Sequence, residues 1–189
     1  MGYTWVAGVD EVGLGPLAGP VVACALVLPL GARIPGLDDS KKIAARRREL
    51  VAQKIQDRAL AIGVGRAEAA EVDALGITRA RQLASARAVA GLSPRPQYLL
   101  LDAFDLPDFP LPQLALVHGD RLCASIMAAS VVAKVTRDQL MSDYDRRYPG
   151  WGFAEHKGYG TALHLSRIAA LGPSPIHRLS WRPLQGYSG

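Results

Sequence analysis

Five short apolar runs alternate with amphipathic and small-residue stretches, and this order restricts the chain to a layered arrangement of helices on a sheet. Residues 4–9 and 21–28 read as strands joined by a Gly/Pro turn, and residues 59–65 (ALAIGVG) as a third. Between the last two lies DSKKIAARRRELVAQKIQDR, where Ile43, Leu50, Val51 and Ile55 fall on one helical face. Residues 68–75 predict a short helix stopped at Gly76, and residues 78–91 a longer one capped by Thr78. YLLLD and LALVH supply strands four and five; Asp120 then opens a long helix rich in Ala and Ser, ended by Pro149 and Gly150, that predicts close packing on the sheet. A last helix covers residues 161–171. The expected fold is α/β: a mixed five-stranded sheet flanked by helices, with a small helical C-terminal portion from about residue 150.

The length of 189 residues, 49% of them hydrophobic, suffices for one sizeable core, so a single domain over residues 1–189 is expected. No apolar run approaches a membrane span, and the N-terminus lacks the pattern of a secretory signal. Cys24 and Cys123 sit in apolar surroundings and form neither a CxxC pair nor a metal set, which fits reduced thiols in the cytoplasm. Lys and Arg number 22 against 17 Asp and Glu, a net charge of +5 that favours a polyanionic partner.

The stretch GVDEVGLGPLAGP carries the chemistry. Asp10 and Glu11 end the first strand, Asp102 ends the fourth, and Asp120 follows the fifth at a helix start. If strands one and four are parallel neighbours, their carboxyl ends converge where open α/β sheets place their sites. Carboxylates so close repel unless protons or multivalent cations sit among them, and oxygen-only ligands select Mg²⁺ or Mn²⁺. Two such ions would activate water and stabilise a leaving oxygen in phosphodiester cleavage. The glycines leave backbone N–H groups free to approach a phosphate or sugar. The spacing GxGxxxG, with Pro16 inside and no Lys-Ser/Thr after it, matches no nucleotide-loop fingerprint. Taken singly, Asp120 is also a helix cap, Asp102 a polar strand stop and Asp-Glu a common turn pair; their shared location distinguishes them.

In family order, GVDEVGLGPLAGPVV, LDDSKK, EVDALGI, YLLLDAF, HGDRLCASIMAASVVAKVTRD, HKGYGT and GPSPIHRLSW resemble bacterial ribonuclease HII, the type 2 ribonuclease H, over nearly the whole chain. The resemblance implies a ribonuclease H-like fold. It also implies an endonuclease that cuts the RNA strand of RNA–DNA hybrids and cuts 5′ of single ribonucleotides in duplex DNA, leaving 5′-phosphate and 3′-hydroxyl ends. It carries the family's metal-binding, catalytic acids onto Asp10, Glu11, Asp102 and Asp120, with two Mg²⁺ or Mn²⁺ ions during turnover. It places Gly13, Leu14 and Gly15 against the ribose 2′-OH and stacks Tyr159 on the neighbouring sugar; residue type alone favours an amphipathic rim residue at Tyr159. Ser40, Lys41, Lys42, Arg137 and Lys157 are candidates for phosphate contacts. Lys41 and Lys42 also fit a solvated helix start, and Arg46, Arg47 and Arg48 either extend the basic face or form a hydrated helix surface.

His156, His164 and His177 receive no catalytic role, and Arg178 and Trp181 belong to a tail expected to pack or border substrate. The chain departs from the family at Leu14, where Arg is usual, at Gly76, where Asn is usual, and at Ala103, where Gly is usual; the first removes a guanidinium within reach of phosphate. A monomer is the family default. Ribonuclease HIII is the neighbouring alternative, normally with an extra N-terminal domain, whereas here the Asp-Glu pair stands at residue 10. A non-catalytic nucleic-acid-binding module fits the basic charge but leaves four acids unexplained, since bare carboxylates repel phosphate.

Overall fold

The computed structural model describes residues 2–38, 40 and 43–187, so Lys41 and Lys42 lie outside the described residues. The five strands are β1 (Val6–Val12), β2 (Val21–Val27), β3 (Ala61–Ala67), β4 (Tyr98–Asp102) and β5 (Gln113–Leu116), in the order β3-β2-β1-β4-β5. β1 and β2, and β2 and β3, pair antiparallel; β1–β4 and β4–β5 are parallel. The expected mixed sheet forms, with strands one and four as parallel neighbours. β1 runs further than its apolar run suggests, so Asp10 and Glu11 are paired strand residues, opposite Cys24 and Ala23.

Helices α1 (Ala45–Gln56) and α4 (Ala124–Arg147) cover one face of the sheet, and α2 (Ala69–Ala90) covers the other. All seven residues of β2 are buried, because helices cover it on both sides; such a strand reads as a continuous apolar run without alternation. The small side chains of α4 permit the expected close approach: a Cβ at Gly8 of β1 would run into the backbone of Ser125 and Ile126. Any side chain at Gly8 would therefore lift the helix off the strand.

Three elements differ from expectation. α1 starts only at Ala45, and its buried face is Arg48, Val51, Ala52 and Ile55, leaving Leu50 62% exposed. Fully buried Ile55 contributes about 1.5–3 kcal/mol of apolar burial, and Leu50 little. Arg48 turns inward instead of joining a hydrated surface: Nε donates to the Ser40 carbonyl at 2.8 Å and the guanidinium to the Ile43 carbonyl at 2.7 Å, tying down the chain before the helix. The two helices expected around Gly76 form one kinked segment, with Gly76 at φ 75° and ψ 160°, a conformation that suits glycine. Asp120 lies in a separate short helix, α3 (Gly119–Leu122), and extended Cys123 intervenes before α4.

After α4 come the short α5 (Phe153–His156), α6 (Ala162–Leu171) and a closing 3₁₀ turn, Arg182–Tyr187. Thr161 caps α6 by accepting from the His164 amide at 3.2 Å. The segment before the 3₁₀ turn returns to the glycine turn, where Ala18 bridges His177. The C-terminal portion is thereby fastened beside the end of β1.

Candidate active site

Successive side chains of a strand point to opposite faces, so two adjacent acids cannot share one. Asp10 lies on the α4 face with Gly8, where Ser130 hydrogen-bonds it. Glu11 turns to the α2 face, where Arg81 stands 3.7 Å from its Oε1. In the parallel β1–β4 pair Val9 is level with Leu101, so the next residues, Asp10 and Asp102, end side by side. Asp102 Oδ1 accepts from the Gly119 amide at 2.7 Å, which fastens the helix carrying Asp120 to the same edge.

All four acids line one cleft of about 280 Å³. Gly13, Leu14 and Gly15 form part of its wall with Ser40 and Tyr159, so these expected substrate contacts are gathered beside the acids. Two further cavities along the α2 flank hold none of the four acids. Burial, followed by repulsion from Asp102 and Asp120, pushes the Asp10 carboxyl well above the usual carboxylate range, against the opposing hydrogen bonds from Ser130 and the Glu11 amide. Glu11 is raised as well, by burial first and then by Asp10, with Arg81 acting in the opposite direction.

The donor set fits a hard divalent cation. Glu11 Oε2 is buried without a hydrogen-bond partner, and neighbouring carboxyls whose charge is disfavoured gain most from an ion placed among them. All the acid donors are oxygens, the ligands suited to Mg²⁺ and Mn²⁺. Among the described residues no three such side chains are already drawn into a cage; the acids stand on the walls of an open cleft.

The remaining expected contacts divide. Arg137 is fully buried and donates to the carbonyls of Pro20 at 3.0 Å, Lys157 at 3.0 Å and Ala18 at 3.1 Å. It therefore holds loops together and has no surface to offer a phosphate, a departure from the sequence expectation. Gly13, at φ 93°, makes room for it, because a Cβ there would strike Arg137 Nε. Lys157 Nζ donates to the Asp138 carbonyl at 3.2 Å and to Ser142 Oγ at 2.9 Å, so its ammonium is engaged on α4 and lies outside the acid cleft. Ser40 is buried with its Oγ 2.9 Å from Ser130 Oγ. Leu14 is half-buried and packs partly on the apolar cluster beneath α2.

Two cleft residues, Ser130 and Lys134, and the arginine paired with Glu11, Arg81, escaped the sequence reading. Ser130 and Lys134 are four apart on α4, one face of the helix that follows Asp120, and that spacing was a usable signal. Arg81 had no local signature: its guanidinium rests over the Phe104 ring at 4.3 Å and reaches Glu11 only through the fold. The histidines, given no catalytic role, form a buried group with Phe153: His156 and His164 stack at 4.0 Å, and His164 Nε2 meets His177 Nε2 at 2.9 Å.

The Ribonuclease HII family model matches residues 7–183. The chain belongs to the ribonuclease HII family. A ribonuclease HII of Geobacter sulfurreducens is 52% identical over 188 residues, covering 100% of this chain and 87% of the relative. The crystal structure of ribonuclease H2 from Pyrococcus horikoshii superposes with a TM-score of 0.81 at 25% identity, over 96% of this chain and 95% of that one. The fold is shared also with Bst-RNase HIII, solved in complex with Mn²⁺, at a TM-score of 0.74 and 19% identity, over 97% of this chain and 69% of that one. The protein is accordingly a metal-dependent endoribonuclease, a ribonuclease H acting on RNA–DNA hybrids. No helix among the described residues is long and apolar enough to cross a membrane.

Proposed function

We propose that the chain works as one catalytic unit that hydrolyses the RNA strand of RNA–DNA hybrids and cuts 5′ of single ribonucleotides in duplex DNA by a two-metal-ion mechanism, leaving 5′-phosphate and 3′-hydroxyl ends. The observation that carries this reading is the placement of Asp10, Glu11, Asp102 and Asp120 in one cleft with Gly13, Gly15 and Tyr159: acids for cations and a backbone turn for a sugar share the same walls. In this reading the four acids hold Mg²⁺ or Mn²⁺. Bound there, the cations would ease deprotonation of the attacking water and offset charge on the leaving oxygen.

The chain's own groups do the rest. Ser130 and the Glu11 amide orient Asp10, and the Gly119 amide orients Asp102, so two acids are aimed before any ligand arrives. Tyr159, 42% exposed on the wall, offers a ring to the sugar beside the ribonucleotide. Lys134 Nζ is 2.6 Å from Asp138 Oδ1 yet borders the cleft, and it replaces Arg137 among the phosphate-contact candidates. The free thiols of Cys24 and Cys123 fit work in the reducing cytoplasm, as a monomer on nucleic acid.

The test is incubation of purified protein with a DNA duplex containing one ribonucleotide, with Mg²⁺, Mn²⁺ or chelator, beside an all-DNA duplex and an RNA–DNA hybrid. Metal-dependent cutting on the 5′ side of the ribonucleotide, with the all-DNA control intact, is the expected result. Cleavage of the hybrid alone would remove the single-ribonucleotide activity from the proposal.

A further inference from the structure

Arg178 is fully buried, and no carboxylate lies within ion-pair distance of it among the described residues. All its guanidinium bonds go to carbonyls of the glycine turn. Nε donates to Gly19 at 3.0 Å, one terminal nitrogen donates to Leu14 at 3.1 Å, and the other donates to both Gly13 and Gly19 at 2.7 Å. One planar fork thus spans the turn from its first residue to its seventh. The backbone around Arg178 is bound to the same turn: its own amide donates to the Leu17 carbonyl at 2.9 Å, and the Gly19 amide donates to the Ile176 carbonyl at 2.8 Å.

The consequence lies on the opposite side of the turn. In a trans peptide the C=O and the following N–H point in opposite directions. The Gly13 carbonyl shares its plane with the Leu14 amide, and the Leu14 carbonyl with the Gly15 amide. Both carbonyls point at Arg178, so both amides point away from it. Neither amide has an acceptor among the described residues, and all three residues line the acid cleft. We infer that Arg178 is a positioning residue for ribonucleotide recognition, which holds the Gly13 and Leu14 carbonyls on the buried side so that the Leu14 and Gly15 amides stand as a fixed donor pair for the ribose 2′-hydroxyl.

This rests on the proposed reading of the cleft as a ribonucleotide site and adds the device that sets its selectivity. A deoxyribose leaves such donors without their acceptor, a loss of roughly tenfold to a hundredfold in affinity per unpaired group. Lysine cannot substitute: it keeps the charge but lacks the rigid fork that reaches three carbonyls at once.

The experiment measures Kd for duplexes with and without one ribonucleotide, in Ca²⁺ with cleavage monitored, for wild type and Arg178→Lys. The expected result is a wild-type preference for the ribonucleotide that falls about tenfold or more in the variant, while affinity for all-DNA duplex stays within about twofold. A purely structural loss would weaken both duplexes alike, and an unchanged preference in a folded variant overturns the inference. A second measurement needs no variant. In wild type the Leu14 and Gly15 amide resonances should exchange freely with solvent, then shift and become protected on adding the ribonucleotide duplex but not all-DNA duplex. Amides indifferent to the ribonucleotide would overturn the inference even if Arg178→Lys did not fold. A wild type that shows no preference for the ribonucleotide would instead remove the proposed function beneath it.

Discussion

The buried histidines make acid stability a sharp test of where the protons sit. His177 Nδ1 accepts from the Ser174 amide at 2.8 Å, so its Nε2 carries the hydrogen and donates to His164 Nε2 at 2.9 Å. His164 then donates from Nδ1 to the Tyr159 carbonyl at 2.9 Å. His156 accepts from the Gly158 amide at 3.1 Å and donates to the Trp151 carbonyl at 2.8 Å. The backbone sets the hydrogen-bond roles of these rings, and a further proton on His164 or His177 would set N–H against N–H. Burial first, and the adjoining rings second, pull His164 and His177 down to about 4. Unfolded histidines take up protons near pH 6.5, so between about 6.5 and 4 the unfolded chain binds more protons. The stability these groups confer is complete above about pH 6.5 and is lost as pH falls towards 4. At about 1.4 kcal/mol per pH unit, one such histidine loses about 2.5 kcal/mol between pH 7 and 4.5.

Asp10 and Glu11 act in the opposite sense, because carboxyls raised by folding favour the folded state as pH falls. The difference between wild type and His177→Gln cancels them. In urea melts with chelator present, followed by tryptophan fluorescence, wild type should be the more stable at pH 7, and the gap should close by about 2.5 kcal/mol at pH 4.5. Stability curves that stay parallel over this range would refute the neutral chain.

Asp10→Asn and Asp102→Asn should each lower the hybrid-cleavage rate by at least about a hundredfold while the metal-free protein stays folded by circular dichroism, since each removes one repelling charge; near-normal rates in either would sink the site assignment. Leu14→Arg should tighten duplex binding and steepen its salt dependence by about one counterion, read from Kd against ionic strength, and an unchanged slope would show that no phosphate lies within reach. Ala103 holds φ 57°, a left-handed conformation that costs a side chain about 1 kcal/mol, so Ala103→Gly should raise Tm by about 2–4 °C, and a lower Tm would contradict the strain. Titration with Mn²⁺ near pH 7 should release protons, because Asp10 and Glu11 titrate above the usual carboxylate range and an ion displaces their protons; calorimetry in buffers of different ionisation enthalpy reads the number, and none released would contradict the raised carboxyls.

Periodicity made the sheet legible, because β2 buried on both faces and a small-residue helix over Gly8 leave plain composition signals. The acids were legible for a topological reason: Asp10 and Asp102 stand level on parallel neighbours, so sequence positions 92 residues apart become adjacent once the strand order is drawn. Side-chain direction was not legible. Arg137 and Lys134 are three apart on α4, yet Arg137 is buried among carbonyls and Lys134 borders the cleft. Residue type alone makes both of them phosphate anchors. Leu50 satisfied the helical spacing, yet the actual stripe of α1 runs through Arg48, Val51, Ala52 and Ile55, which only the packing of α1 on α4 decides. Arg81 touches Glu11 because α2 crosses the sheet at that height, a relation no spacing along the chain encodes.

If the glycine turn reads the sugar as proposed, the separation of that task from charge explains how a leucine can stand in the turn. Acids crowded in a cleft oppose an approaching phosphate by about 1 kcal/mol per pair at 4 Å in water and more where the cleft is dry, so cations must enter before a backbone can settle there. A sugar hydroxyl carries no such penalty, and neutral amides beside the acids can select it without adding or removing charge. In this chain the carbonyls that would spoil such a surface are turned inward and consumed by Arg178, with Arg137 holding the carbonyls of Ala18 and Pro20 below. The identity of the side chain at residue 14 then bears on how tightly the duplex is held and on its salt dependence. In the reading proposed above, the choice between ribose and deoxyribose rests on two backbone amides whose direction residue 14 does not set.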